Sequence, residues 1–144
     1  MREFLYRAYD KGRKEYLSGG NLFVAINASR EPNKSEIYLD VISNPDKYKD
    51  RFVIEQYTGL TDKNSTKIFE GDICSSGGMI YQIIWLDDKY GWFCKVLKSN
   101  TCLIDTTMAF PLYQYNNRPE NGYRQLEVIG NIHDNPELLK GGVE

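Results

Sequence analysis

Apolar residues along the chain recur with a period of two, in short runs separated by glycine- and asparagine-rich breaks. That is the strand period, because successive side chains of a strand point to opposite faces of the sheet. The opening run EFLYRAYD alternates Phe4, Tyr6 and Ala8 with Leu5, Arg7 and Tyr9, which predicts a strand with one buried face. The polar KGRKE after it, with Gly12 inside, predicts a chain reversal. Beyond Gly19-Gly20, NLFVAI (residues 21–26) is too short and too β-rich for a helix and predicts a buried strand. EIYLDVIS sets Ile37, Leu39 and Val41 against Tyr38, Asp40 and Ile42, again at strand period. The intervening NASREPNKSE reads as loop, with Pro32 and Asn33 marking a turn. SNPDKYKD predicts one helical turn capped by Asn44 and started by Pro45, and RFVIEQYT predicts a further strand.

The second half is written in the same period. TDKNST is a hydrophilic turn, and KIFEGDIC brings Ile68 and Phe69 to a bend at Gly71-Asp72. Glycine followed by a carboxylate suits a tight entry into a strand, where unusual dihedrals and side-chain-to-backbone bonds are needed. MIYQIIWL places Met79, Tyr81, Ile83 and Trp85 on one face and Ile80, Gln82, Ile84 and Leu86 on the other. Two apolar faces predict a central strand. DDKYG turns the chain and WFCKVL returns it, so residues 79–97 predict an antiparallel hairpin. TCLIDTTMAFPLYQY has β-type composition interrupted by Pro111, and NNRPENGYR reads as a long polar loop or hairpin tip. QLEVIGNI predicts a closing strand with Leu126, Val128 and Ile129 inward. DNPELLKGG predicts a last helical turn, capped by Asn135, started by Pro136 and ended by Gly141.

The expected fold class is therefore mainly β with little helix. The expected organisation is a small N-terminal antiparallel β subdomain over residues 1–57 and a second β domain over 58–144, ending in a short helical turn. A chain of 144 residues with 41% hydrophobic residues, among them 11 tyrosines, is sufficient for such a core. Tyrosine suits strands, since its ring packs on a pleated surface while its hydroxyl reaches water or a partner.

Charge narrows the function classes. The formal net charge of −2 lacks the basic excess of a protein that binds nucleic acid through phosphates alone. The first 70 residues carry 12 Lys/Arg against 11 Asp/Glu, the remainder 6 against 9, so any basic patch is expected in the first half. Three cysteines, Cys74, Cys94 and Cys102, form no CxxC pair and no even disulfide set. With no apolar run long enough for a signal peptide or membrane span, the expectation is a cytoplasmic protein with free thiols and no membrane partner.

Candidate catalytic groups are sparse. His133 is the only histidine, and beside Asp134 it resembles a base, but no Ser or Cys nucleophile stands near it in sequence. One His and three dispersed Cys do not make a zinc site, which needs about four ligands. Glu70/Asp72 and Asp87/Asp88 are paired carboxylates that could hold a cation or act as acid and base. Both pairs flank turns, where Asp and Glu serve local hydrogen bonding. SSGGM lacks the Lys-Ser/Thr of a phosphate loop and reads as a hairpin turn. No cofactor, metal or catalytic constellation is expected. The first hairpin gathers Arg7, Lys11, Arg13 and Lys14, beside Arg2, with Tyr6, Tyr9 and Tyr16, which is a candidate nucleic-acid surface. Charges on an edge hairpin also serve simply to keep it soluble.

Three segments, FLYRAYDKGRKEY, QYTGLTDKNSTKIFEGDIC and LEVIGNIHDNPELL, occur in this order across almost the whole chain. Together they resemble the YopX-like proteins of phages and prophages. The signature positions are Tyr57, Thr58, Gly59, Leu60, Asp62, Glu70, Gly71 and Asp72, then Gly130, Asn131, Asn135 and Pro136. Tyr9 stands where the family commonly has Trp, Cys74 where an apolar β-branched residue is usual, and Ser65 where Gly is frequent. Ser65 argues against a positive-φ turn at that point. His133 falls where the family tolerates other residues. The resemblance implies an SH3-like barrel in the C-terminal part and a phage or prophage origin in a bacterial cytoplasm. It carries no catalytic residue across. The function expected is a non-enzymatic protein-binding or assembly module, with a protein partner or self-association. A nucleic-acid-binding protein is the alternative, and an acid-base or metal enzyme at Glu70/Asp72 comes third.

Overall fold

The structure, a computed structural model, describes residues 5–16, 22–23, 50–101, 103–115 and 125–140. The expectations for EIYLDVIS, for the loop before it, for the Asn44-Pro45 turn, for the NNRPENGYR loop, and for Arg2, Cys102 and Gly141 lie outside these residues. The chain divides into two compact units, Met1–Gly59 and Leu60–Glu144. The fold is mostly β, in two antiparallel sheets, and its described helical segments are short 3-10 turns.

In the first unit, β1 (Leu5–Asp10) pairs with β2 (Glu15–Tyr16), with β3 (Leu22–Phe23) and with β4 (Phe52–Thr61). These strands lie on both edges of β1. Leu5, Ala8, Tyr9 and Asp10 are all buried, so the alternation expected of a one-faced strand is not what forms. Strand β4 runs to Thr61, three residues beyond the end of RFVIEQYT. Its hydrogen-bonded neighbour on that side is β5 (Lys67–Phe69).

In the second unit, β6 (Asp72–Ser76), β7 (Met79–Leu86), β8 (Gly91–Lys98), β9 (Ala109–Pro111) and β10 (Glu127–Asn131) form a sheet in the order β10-β6-β7-β8-β9. Strand β7 is central, as its two apolar faces predict. The β6–β7 turn is Gly77-Gly78, both at positive φ (56° and 83°), between the paired residues Ser76 and Met79. Two successive positive φ values define the hairpin turn whose twist matches that of the strands. Pro111 ends an edge strand, where its missing N–H costs no ladder bond. The β-type stretch before it is mostly turn, organised by Ser99 and Asp105, because both side chains hydrogen-bond local backbone.

Ile68, Ile83, Cys94, Val96, Leu112 and Leu126 lie at the centre of the core, each with at most 1% of its surface exposed. Burial of a Val, Leu or Ile side chain stabilises by about 1.5–3 kcal/mol. Trp85 is 42% exposed, since β7 outruns the core beyond Ile83. Ile129 is 40% exposed rather than inward. A register shift between Val128 and Gly130 makes Ile129 the extra residue of a bulge, which turns it away from the core.

Candidate functional site

The first hairpin places its charges unevenly. The Arg7 guanidinium lies 2.8 Å from Glu55 and 4.5 Å from the centre of the Tyr16 ring, and the Tyr16 hydroxyl donates to the same Glu55 oxygen at 2.9 Å. Glu55 is 2% exposed, so this pair is internal and the Arg7 charge is matched. Tyr9 is buried and packs edge-on against Tyr16, with ring centres 5.2 Å apart. Lys11, Arg13 and Lys14 stay exposed on the turn. Asp10 shapes that turn: its Oδ1 accepts the N–H groups of Gly12 (2.9 Å) and Arg13 (3.2 Å), and its Oδ2 accepts from Arg51 (3.3 Å). Burial raises the Asp10 carboxyl, but the Arg13 N–H, the Arg51 guanidinium and the Gly12 N–H outweigh it and hold the group below its ordinary value.

The signature residues of the second unit also bond backbone. Asp62 is 3% exposed, and its Oδ1 accepts from the N–H groups of Asn64 (2.8 Å) and Thr66 (2.9 Å). Its Oδ2 accepts from the Val128 N–H at 2.9 Å, which ties the β4–β5 turn to β10 across 66 residues of sequence. Ser65 adopts a φ of 65° in this turn, so the positive φ persists without glycine. The three bonds to Asp62 constrain the turn more than the side chain of Ser65 opposes it. Asp72 follows Gly71, at φ 85°, and accepts the Phe69 N–H at 2.8 Å, closing the bend expected at Gly71-Asp72. Glu70, half-buried, flanks the same bend.

The last signature segment is organised by two asparagines. Asn131 Oδ1 accepts from the N–H groups of His133 (3.0 Å) and Asp134 (2.9 Å), and Asn135 Oδ1 accepts from the Asn131 N–H (3.2 Å). A Cβ at Gly130 would collide with the Asn135 side chain, which explains glycine there. Pro136 then starts a 3-10 turn, Pro136–Lys140. His133 is half-buried, and its backbone N–H donates to Asn131 Oδ1. Among the described residues, no group of three or more His, Cys, Asp or Glu could hold a metal ion, and no helix is long and apolar enough to cross a membrane. Cys74 and Cys94 are buried free thiols. Burial pushes both far above the ordinary thiol range, with the charges of Asp72, Cys94 and Asp62 adding to the effect at Cys74.

What composition did not reveal is where the aromatics face outward. The strand tyrosines Tyr9, Tyr57 and Tyr81 are buried, because strands in these sheets pack on the core. The exposed ones lie off the strands: Tyr90 (85%) ends the β7–β8 turn at φ 50°, and Tyr113 (73%) sits in the 3-10 turn Leu112–Gln114. Register gathers them. Trp85 pairs with Trp92 next to the β7–β8 turn, their rings edge-to-face at 5.1 Å, and Phe93 pairs with Pro111 immediately before the Tyr113 turn. Gly71 bonds both Ile83 and Ile132, so β10 also leaves the sheet at this end. Asp87, Asp88, Asp134 and Glu137 are exposed there, against Lys89 and Lys140. The result is an aromatic, acidic end of the second sheet. The sequence signal was present in the WLDDKYGW stretch, but only the register adds Tyr113 and the C-terminal turn.

Fold and site together define a mostly β protein whose polar signature residues build turns and whose exposed aromatics collect at one sheet end. The profile of the family described as YopX protein matches residues 5–140, and the chain belongs to that family. Among solved structures it is similar to protein EF1440 from Enterococcus faecalis, with a TM-score of 0.52 and 24% identity over 96% of this chain and 99% of that one. At that identity the likeness concerns the fold. No curated protein matches the chain.

Proposed function

We propose that the protein is a non-enzymatic protein-binding or assembly module acting in the bacterial cytoplasm, in a phage or prophage setting. The observation that carries this reading is the cluster of Trp85, Tyr90, Trp92 and Tyr113 at one end of the second sheet. Large aromatics are enriched at interface centres, where they bury much area at little entropic cost. The signature carboxylates support it from the other side. Asp62 and Asp72 face backbone N–H groups at hydrogen-bond distance, which is how a structural carboxylate is used. An SH3-like barrel in the second unit belongs to the same reading. The test combines light scattering with affinity capture from a bacterial lysate. The expected result is a specific, stoichiometric protein partner or defined self-association; a strict monomer that retains no protein argues against it.

Nucleic-acid binding is the second reading, carried by the exposed Lys11, Arg13 and Lys14. It has less support, because Arg7 is paired with Glu55 and Tyr9 is buried, which leaves neither to meet a phosphate or a base. Salt-dependent retention of an oligonucleotide, weakened by Lys11→Gln and Arg13→Gln, is its test. An acid-base or metal-dependent reaction at Glu70/Asp72 is the third, and metal titration without a change in stability removes its metal form.

A further inference from the structure

Two exposed features of the fold have complementary chemistry. The first is the basic turn of residues 11–14. Its shape is set from within, by Asp10 Oδ1 on the Gly12 and Arg13 N–H groups and by the Lys14 N–H on the Asp10 carbonyl at 2.7 Å. A turn held this way loses little conformational freedom on docking. Arg13 lies 4.0 Å from Glu15, with both side chains well exposed, a pairing that water screens almost completely. The second feature is the aromatic end of the second sheet. There Trp85 and Trp92 are locked edge-to-face, Tyr90 and Tyr113 project, and Asp87 and Asp88 stand beside them.

We propose that the basic turn of one copy docks on the aromatic, acidic end of the second unit of another copy. Lys and Arg are the cations that aromatic faces attract, and their aliphatic stems cover apolar surface while the charged ends reach carboxylates. Lys11, Arg13 and Lys14 supply the cations, and Asp87 and Asp88 supply the opposing charge. The two surfaces differ, so the contact is head-to-tail, and each added copy presents a fresh surface of each kind. The inference rests on the protein-binding reading and names the partner as the chain itself.

Sedimentation and light scattering on the purified full chain decide it. The weight-average mass rises with protein concentration past that of a dimer at about 0.05 M salt, and returns to the monomer at about 0.5 M, where screening shortens the reach of surface charge. The variant Lys11→Gln/Arg13→Gln/Lys14→Gln and the variant Trp85→Ala/Asp87→Asn/Asp88→Asn each weaken self-association at least about tenfold, with unchanged circular dichroism. Mixed together, the two variants form a 1:1 complex that grows no further, because each retains one intact surface. A wild-type chain that is monomeric at every concentration in low salt overturns the proposal. So does association that survives either variant, a mixture that stays monomeric, or a monomer whose basic turn retains oligonucleotide instead. Failure of this kind leaves the protein-binding reading to its own test, since a foreign partner lost on the aromatic substitutions would uphold that reading alone.

Discussion

Asp62 is the residue on which the second unit's turn and closing strand both depend. Three backbone N–H groups converge on its buried carboxylate. Each N–H stranded without a partner is costly, so Asp62→Ala is expected to destabilise by about 2–4 kcal/mol in urea unfolding. A loss near zero would mean that the turn re-forms without it. Asp10 adds a pH dependence in the first unit. Its carboxyl is held below its ordinary value of 3.8, so the ionised form stabilises the fold. That contribution is complete above the unfolded value and disappears as pH falls through the lower, folded one. Asp10→Asn should therefore be less stable than wild type at pH 7, with the gap closing as pH drops below 3.8. Parallel denaturation curves at both pH values check the sign.

At the scale of elements, the clearest pairing of residue to residue is Gly130 with Asn135. Strand β10 passes so close to the Asn135 side chain that a methyl group at Gly130 has no room. Gly130→Ala is expected to cost about 1–3 kcal/mol, and much less in an Asn135→Ala background, where the obstructing amide is gone. Additive losses would contradict the contact. Elements of this kind were legible in the sequence wherever their cause is local. Gly77-Gly78 makes its own hairpin turn, Gly71-Asp72 its own bend, and Asn135-Pro136 its own 3-10 start. What the sequence hid depends on distant partners. Arg7 reads as a free cation until Glu55, 48 residues on, comes beside it, and Ile129 reads as inward until the bulge rotates it. The central place of β1 in its sheet likewise depends on strands that come later in the chain.

For the whole molecule, the division is between buried groups that hold the fold and exposed aromatics gathered at one sheet end. The thiols belong to the first kind. Cys74 and Cys94 sit at 0% exposure with their titration pushed up by burial, so neither is a nucleophile in the native state. In a Cys102→Ser background, a thiol reagent at pH 8 should label none in the folded protein and two after denaturation; rapid native labelling would contradict the packing. The candidate site divides along the same line. Its composition was visible in WLDDKYGW, but its assembly was not, because Tyr113 reaches the same sheet end only through the β8–β9 register. Tyrosine abundance pointed to an interface, and the strands that carry most of the pattern bury theirs instead. The most direct test of the central claim compares affinity capture by wild type and by Trp85→Ala/Tyr90→Ala/Tyr113→Ala from the same bacterial lysate, read by quantitative mass spectrometry. The expected result is a stoichiometric protein, a second copy of the chain included, that wild type retains and the equally stable variant loses. Equal retention by both, or none by either, would contradict it.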